Sequence, residues 1–188
     1  VDDIQGMHDW FKNKTNFEQY FLHIDTKKKF KQPELAETLR RIAEFGADDF
    51  YFGKTAELIV EQMKKSNGLI TMEDLNAYEA VWRKPLRARW RDYEIISSPP
   101  PSSGGFAIIQ LLKMKDYLQH YFENLDHNSA QYIHLVAEME KRVFADRAEY
   151  LGDPDFFDID METLISEDYI AMRALEVNPD SISTIEGV

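Results

Sequence analysis

The residues most suited to chemistry by type and spacing are the serines of Ser98-Pro99-Pro100-Pro101-Ser102-Ser103-Gly104-Gly105, a proline-stiffened run that meets two glycines ahead of an apolar stretch. Free backbone N–H groups at the start of a helix can hold an anion or an oxyanion, and Ser102 or Ser103 at such a turn is a candidate nucleophile. The elbow pattern Gly-x-Ser-x-Gly is missing, however, and no histidine is placed by sequence to act as base. Three prolines give a polyproline approach and two glycines permit close backbone packing. Taken by themselves, these residues read as a rigid structural connector.

The remaining candidates are weaker. His127 and His134 lie seven apart, and His134-x-x-x-Glu138 puts two ligand-type groups on one helical face. A metal site needs three or four converging groups, and the neighbours here are apolar or charge-paired, so a polar stripe on a capped helix is expected. Glu138–Arg142 and Arg142–Asp146 are opposite charges at i,i+4, pairs that stabilise a helix by about 0.2–0.5 kcal/mol each. A glycosidase-like carboxylate pair has no second member at sensible spacing. Asp153-Pro154-Asp155 lacks the twelve-residue calcium-loop pattern and reads as a helix-ending turn. Lys27-Lys28-Lys29 with Lys31 reads as a solvated loop rather than an anion site.

Composition narrows the classes further. The 34 acidic against 22 basic residues give a formal charge of -12, which argues against a nucleic-acid partner. The absence of cysteine excludes disulfides, thiolate metal sites and a cysteine nucleophile. A hydrophobic share of 44% with 13% aromatic residues is enough for a core. No stretch approaches the roughly 18–20 apolar residues of a membrane span, and no N-terminal signal pattern is present. The chain opens on Val1-Asp2-Asp3-Ile4 with no initiator Met, as at a processing boundary, so the missing signal carries little weight.

The elements that would position these residues are mostly helical. Met7 to Leu22 is loosely helical. Pro33 suits a helix first turn and Gly46 a C′ position, with Leu35, Leu39 and Ile42 between them as a stripe. A second helix follows Gly53, buries Ala56, Ile59, Val60 and Met63, and ends at Gly68. Thr71 caps a short helix running to Tyr78. Leu86–Trp90 and Tyr93–Ser97 alternate around a turn-like Arg91-Asp92, which predicts a hairpin. Phe106 to Tyr121 reads as a well-buried helix, with Ile108, Ile109, Leu111, Leu112 and Leu118 in its core. Asn128 or Ser129 caps a helix reaching Tyr150, Ser166 or Glu167 starts a last short one, and residues 178–188 read as a mobile, exposed end. A lone two-stranded hairpin is marginal, so its strands are expected to extend a sheet supplied by other chain.

Five segments, in order, resemble the γ-glutamyltranspeptidase family: Gln32–Leu39, Ile42–Gly53, Gly68–Tyr78, Ser98–Gly105 and Phe144–Phe156. Together they cover roughly residues 32–156. The resemblance implies an α+β fold: a mostly helical fragment with a small strand pair, part of the αββα sandwich of an N-terminal-nucleophile hydrolase. It implies a single partial domain over 1–188, belonging to the C-terminal part of a large subunit. In the family a precursor cleaves itself, and the new N-terminal Thr of the small subunit attacks the γ-glutamyl carbonyl of glutathione or a related donor, with its own amine as base.

The family's Thr-Thr-His-x-Ser-like run is not found in this chain; Thr184 is followed by Ile185-Glu186-Gly187 and does not match it. The arginine that grips the donor carboxylate belongs to an earlier segment of the large subunit. No catalytic, cofactor-binding or metal residue is therefore carried over onto this chain, and the fragment alone is expected to be inactive. The implied partners are the small subunit, the rest of the large subunit and a small-molecule γ-glutamyl donor, with no cofactor and no nucleic acid. The implied location is periplasmic or extracellular. Alternatives are a related acylase acting on cephalosporin side chains or poly-γ-glutamate, and a non-catalytic helical binding module.

Overall fold

The computed structural model describes residues 6–12, 16–21, 24–25 and 27–184. They form two compact units, residues 1–80 and residues 81–188.

The regular elements among the described residues of the first unit are all helices. Two short helices, α1 (His8–Phe11) and α2 (Phe17–Tyr20), bring Phe11 and Phe17 into a stack at 5.3 Å; the rest of the loosely helical Met7–Leu22 stretch lies partly outside the described residues. Helix α3 (Pro33–Phe45) starts with Pro at its first turn, where the missing N–H is harmless. It stops at Gly46, whose φ of 68° falls in the region that favours glycine. The expected apolar stripe is present but uncovered, with Leu35 48% and Leu39 57% exposed.

Helices α4 (Ala47–Tyr51) and α5 (Lys54–Ser66) follow; of the face expected to be buried, α5 buries Ala56 and Val60, while Ile59 and Met63 are half-buried. Asn67, not Gly68, takes the left-handed C-cap of α5, with φ at 54°. An asparagine tolerates that region because its short amide can bond locally. Helix α6 (Met72–Ala77) carries the full capping box: Thr71 Oγ1 accepts from the Asp74 N–H, and Asp74 accepts from the Thr71 N–H at 2.8 Å. Buried Asp49 accepts from the Thr55 hydroxyl and lies 3.4 Å from Arg41, so this acid is used structurally.

The second unit begins with the predicted hairpin, β1 (Leu86–Trp90) paired antiparallel with β2 (Tyr93–Ser97), in a register that sets Leu86 opposite Ser97 and Trp90 opposite Tyr93. Its turn holds Arg91 at φ 52°. Arg91 is fixed there by two donations to Asp116 and by lying 4.9 Å over the Trp90 ring.

Helices α7 (Gly104–Tyr117), α8 (Gln119–Phe122), α9 (Ala130–Tyr150), α10 (Met161–Leu164) and α11 (Glu167–Leu175) complete the unit. Ser129 and Ser166 are the N-caps of α9 and α11, their hydroxyls accepting from Tyr132 and Tyr169. The core lies where α7 meets α9 and α11, around Phe106, Met114, Leu135, Met139, Val143 and Ile170. Ile108 is 49% exposed and does not join it; Ile109, one residue on, is fully buried. No helix among the described residues is long and apolar enough to cross a membrane.

The end of the chain departs most from its sequence reading. Asn178, Asp180, Ser181, Ile182 and Thr184 are exposed as read, but residues 178–183 are also hydrogen-bonded along α9; residues 185–188 lie outside the described set. The close backbone packing expected at the two glycines is present at Gly105. A Cβ added to Gly105 would meet Ser97 Cβ at 2.8 Å and the Ser98 carbonyl oxygen at 2.9 Å, so the helix start is pressed against the strand end. Gly105→Ala is expected to destabilise the protein by about 1–3 kcal/mol, read as a lower midpoint in urea unfolding.

Candidate functional site

The buried charged groups of this unit concentrate on α9. Leu135, Met139 and Val143 form its buried stripe, and Glu138, Arg142 and Asp146 interleave with them on the same face at steps of four. Each is at least 97% buried. A buried charge without a partner is strongly destabilising, so the partners decide whether this face can exist.

Glu138 accepts from Arg142 Nη1 at 2.7 Å through one oxygen, and from Lys141 Nζ at 2.6 Å through the other. The second oxygen also accepts the backbone N–H of Ser183 at 3.2 Å. Arg142 Nη2 donates to the Glu176 carbonyl at 2.5 Å and to Ser183 Oγ at 2.9 Å. Asp146 pairs with Arg173 at 3.0 Å rather than with Arg142, and accepts from Gln110 Nε2 at 3.1 Å. Arg173 reaches on to the Arg142 carbonyl and to the Glu176 carboxylate. Three carboxylates (Glu138, Asp146, Glu176) thus face three cations (Lys141, Arg142, Arg173), and the cluster is neutral. Gln110 Oε1, Arg142 Nε and Arg173 Nε are left without hydrogen bonds, which offsets part of the gain.

Burial alone would raise the Glu138 carboxyl, but donation from Lys141, Ser183 and Arg142 outweighs it and holds the group at about 2. Tyr169 is driven the other way, upward, first by burial and then by the adjacent Asp146 carboxylate.

The Ser98–Gly105 connector borders this helix. Arg147 Nε donates to Ser103 Oγ at 2.9 Å. A guanidinium has no lone pair to accept a proton, so it cannot serve this serine as a base. The Ser102 N–H turns back to the Pro99 carbonyl, and Ser103 provides no side-chain cap for α7. The connector reading of these residues stands on this geometry.

The other sequence candidates do not converge. His134 contacts the Asn178 carbonyl at 3.1 Å while His127 lies edge-on to Tyr132. Glu138 is turned inward to Arg142. Among the described residues no group of three or more His, Asp or Glu side chains could hold a metal ion. Asp153 accepts from the Asp155 N–H, its carbonyl closes the turn to Phe156 and Phe157, and Asp155 pairs with Arg83 at 2.6 Å. A cleft of about 260 Å³ bounded by Trp90, Lys113 and Tyr117 is crossed by its own ion pairs, Arg91–Asp116 and Lys113–Glu167.

Glu138–Arg142 is paired as its i,i+4 spacing predicts, whereas Arg142–Asp146 gives way to Asp146–Arg173, and both pairs lie in a buried network completed by Gln110 and Ser183. The available signal was spacing: the charges at 138, 142 and 146 follow Leu135, Met139 and Val143 by three residues each, within the apolar stripe rather than opposite it.

The sequence model described as gamma-glutamyltranspeptidase matches residues 2–186. The chain belongs to the γ-glutamyltranspeptidase family. The match extends well beyond the segment 32–156 that carried the resemblance. The glutathione hydrolase proenzyme of Pseudomonas aeruginosa is 51% identical over 178 residues, which is 95% of this chain and 32% of that protein. The glutathione hydrolase proenzyme of Escherichia coli is 45% identical over 147 residues, 78% of this chain and 25% of that protein. The solved γ-glutamyltranspeptidase from Pseudomonas nitroreducens complexed with L-DON superposes with a TM-score of 0.89 at 50% identity, covering 98% of this chain and 55% of that one. The chain spans about a third of the length of the P. aeruginosa relative.

In this family member the Glu138 pairing has a definite pH signature. A carboxyl held at about 2, against its ordinary 4.5, contributes stability that is fully present above 4.5 and is lost as pH falls through 2. Glu138→Gln leaves Arg142 without its carboxylate and is expected to cost roughly 3 kcal/mol at neutral pH. The difference in unfolding free energy between wild type and variant should shrink as pH falls from 4.5 toward 2; a difference independent of pH would contradict the pairing.

Proposed function

We propose that this chain is the C-terminal half of the large subunit of a γ-glutamyltranspeptidase, an enzyme that transfers or hydrolyses the γ-glutamyl group of glutathione and related amides. The observation that carries the reading is the family match over residues 2–186 together with 51% identity to a glutathione hydrolase proenzyme. In this reading the precursor cleaves itself, and the N-terminal threonine so released, outside these residues, is the nucleophile. Its hydroxyl attacks the γ-carbonyl and its amine takes the proton; the C–N bond of the donor breaks as that proton passes to the departing amine, and the γ-glutamyl ester so formed is transferred to water or to an acceptor amine, restoring the threonine hydroxyl.

The chain's own part is to position rather than to react. Ser103 bound to Arg147 rather than to a base supports this, as does the use of the buried acids in ion pairs. The exposure of Trp82 (101%), Phe156 (91%) and Leu175 (86%) supports a segment whose apolar surface is completed by the remainder of the large subunit and by the small subunit. The free-standing pair β1–β2 likewise supports membership of a larger sheet, as in an αββα sandwich. Periplasmic or extracellular location belongs to the same reading.

The test is hydrolysis of a γ-glutamyl anilide. The intact protein is expected to release the aniline and to form glutamate from glutathione, and the isolated 188 residues to release none. An intact protein inert toward both donors would overturn the function; turnover by the fragment would overturn its positioning role.

A further inference from the structure

Residues 176–183 leave α11 and return to their starting point. The Glu176 carbonyl and Ser183 Oγ are both bonded by Arg142 Nη2, so one guanidinium nitrogen closes the loop. Between these ends Gln131 donates to the Pro179 carbonyl at 2.7 Å, His134 meets the Asn178 carbonyl, and the Asp180 N–H turns back to Asn178 Oδ1 at 2.9 Å.

Ser183 is held in an unusual way for a residue near an exposed surface. Its neighbours Ile182 and Thr184 are exposed, Ile182 by 77%. Yet each of its three polar groups has a charged partner. The N–H donates to Glu138, the carbonyl accepts from Lys141 at 2.9 Å, and the hydroxyl accepts from Arg142 at 2.9 Å. Covering apolar surface does not explain this, because Val177 is the buried apolar residue of the segment. Three bonds at one residue fix both its place and the direction in which the chain leaves it.

We propose that Glu138, Lys141 and Arg142 form a clamp on Ser183 that orients the following precursor chain for self-cleavage. The proposal rests on the reading of the protein as a self-processing γ-glutamyltranspeptidase. The cleavage itself adds one water across one peptide bond, leaving a carboxylate upstream and a free amine downstream. The clamp contributes no atom to that step; its members are positioning residues.

The experiment follows conversion of the full-length precursor into two chains on denaturing gels, after cell-free synthesis. Ser183→Ala removes the acceptor for Arg142, and Lys141→Met removes the donor to the Ser183 carbonyl. Both are expected to slow conversion about tenfold, the loss of one charge-assisted hydrogen bond to Ser183. Lys141→Met also takes a donor from buried Glu138 and lowers the melting temperature, so its slowing is compared with that of Gly105→Ala, which destabilises the protein without touching the clamp and is expected to convert near the wild-type rate. Ser183→Thr, which keeps the hydroxyl, is expected to convert near the wild-type rate. Hydrogen exchange should find the residue-183 amide protected in wild type and Ser183→Thr, and fast-exchanging in Glu138→Gln. Conversion at the wild-type rate in Ser183→Ala and Lys141→Met would overturn the clamp, as would slowing that merely tracks a lowered melting temperature. A wild-type precursor that never self-cleaves would overturn the self-processing reading and the clamp with it.

Discussion

Three charged side chains on the buried face of α9 constrain everything packed against that helix. Glu138, Arg142 and Asp146 occupy positions where apolar residues would ordinarily sit. Removing charge from water is tolerated only with close, well-aligned partners. α11 must therefore bring Arg173 to Asp146, α7 must bring Gln110, and the segment after α11 must bring the Glu176 carbonyl and Ser183. Each partner comes from a different part of the chain, so the network sets the mutual placement of these elements in a way a uniformly apolar interface would not.

The same constraint separates positioning from reaction. A carboxylate already receiving three donors, or a serine hydroxyl bound to a guanidinium, is poorly suited to move protons. The groups that look most reactive by residue type are thus spent on geometry: Ser103 on Arg147, Glu138 on its clamp, Asp49 on Thr55 and Arg41. This fits a segment that is about a third of the length of its relative from P. aeruginosa.

Much of the local structure was legible because it depends on neighbours in sequence. Pro33 and Gly46 bracket α3, Thr71 and Asp74 close a capping box, Ser129 and Ser166 cap their helices, and alternation around Arg91-Asp92 gives the hairpin. The errors also have physical causes. Asn67 displaced Gly68 at a left-handed position because both residues tolerate it. Ile108 was assigned to the core because an apolar run does not state which of its faces is covered.

By itself, then, the sequence determined the helices, the hairpin and the family. All of these follow from spacing, capping chemistry and short motifs. Only the tertiary structure decided the depth of the charges on α9, since i,i+4 spacing is the same on a wet face as on a dry one. It alone paired Asp146 with Arg173 and drew residues 178–183 onto Glu138, Lys141 and Arg142. A polar stretch such as Asn178-Pro179-Asp180-Ser181 looks like a solvated end until its carbonyls are seen to have donors waiting some forty-five residues upstream.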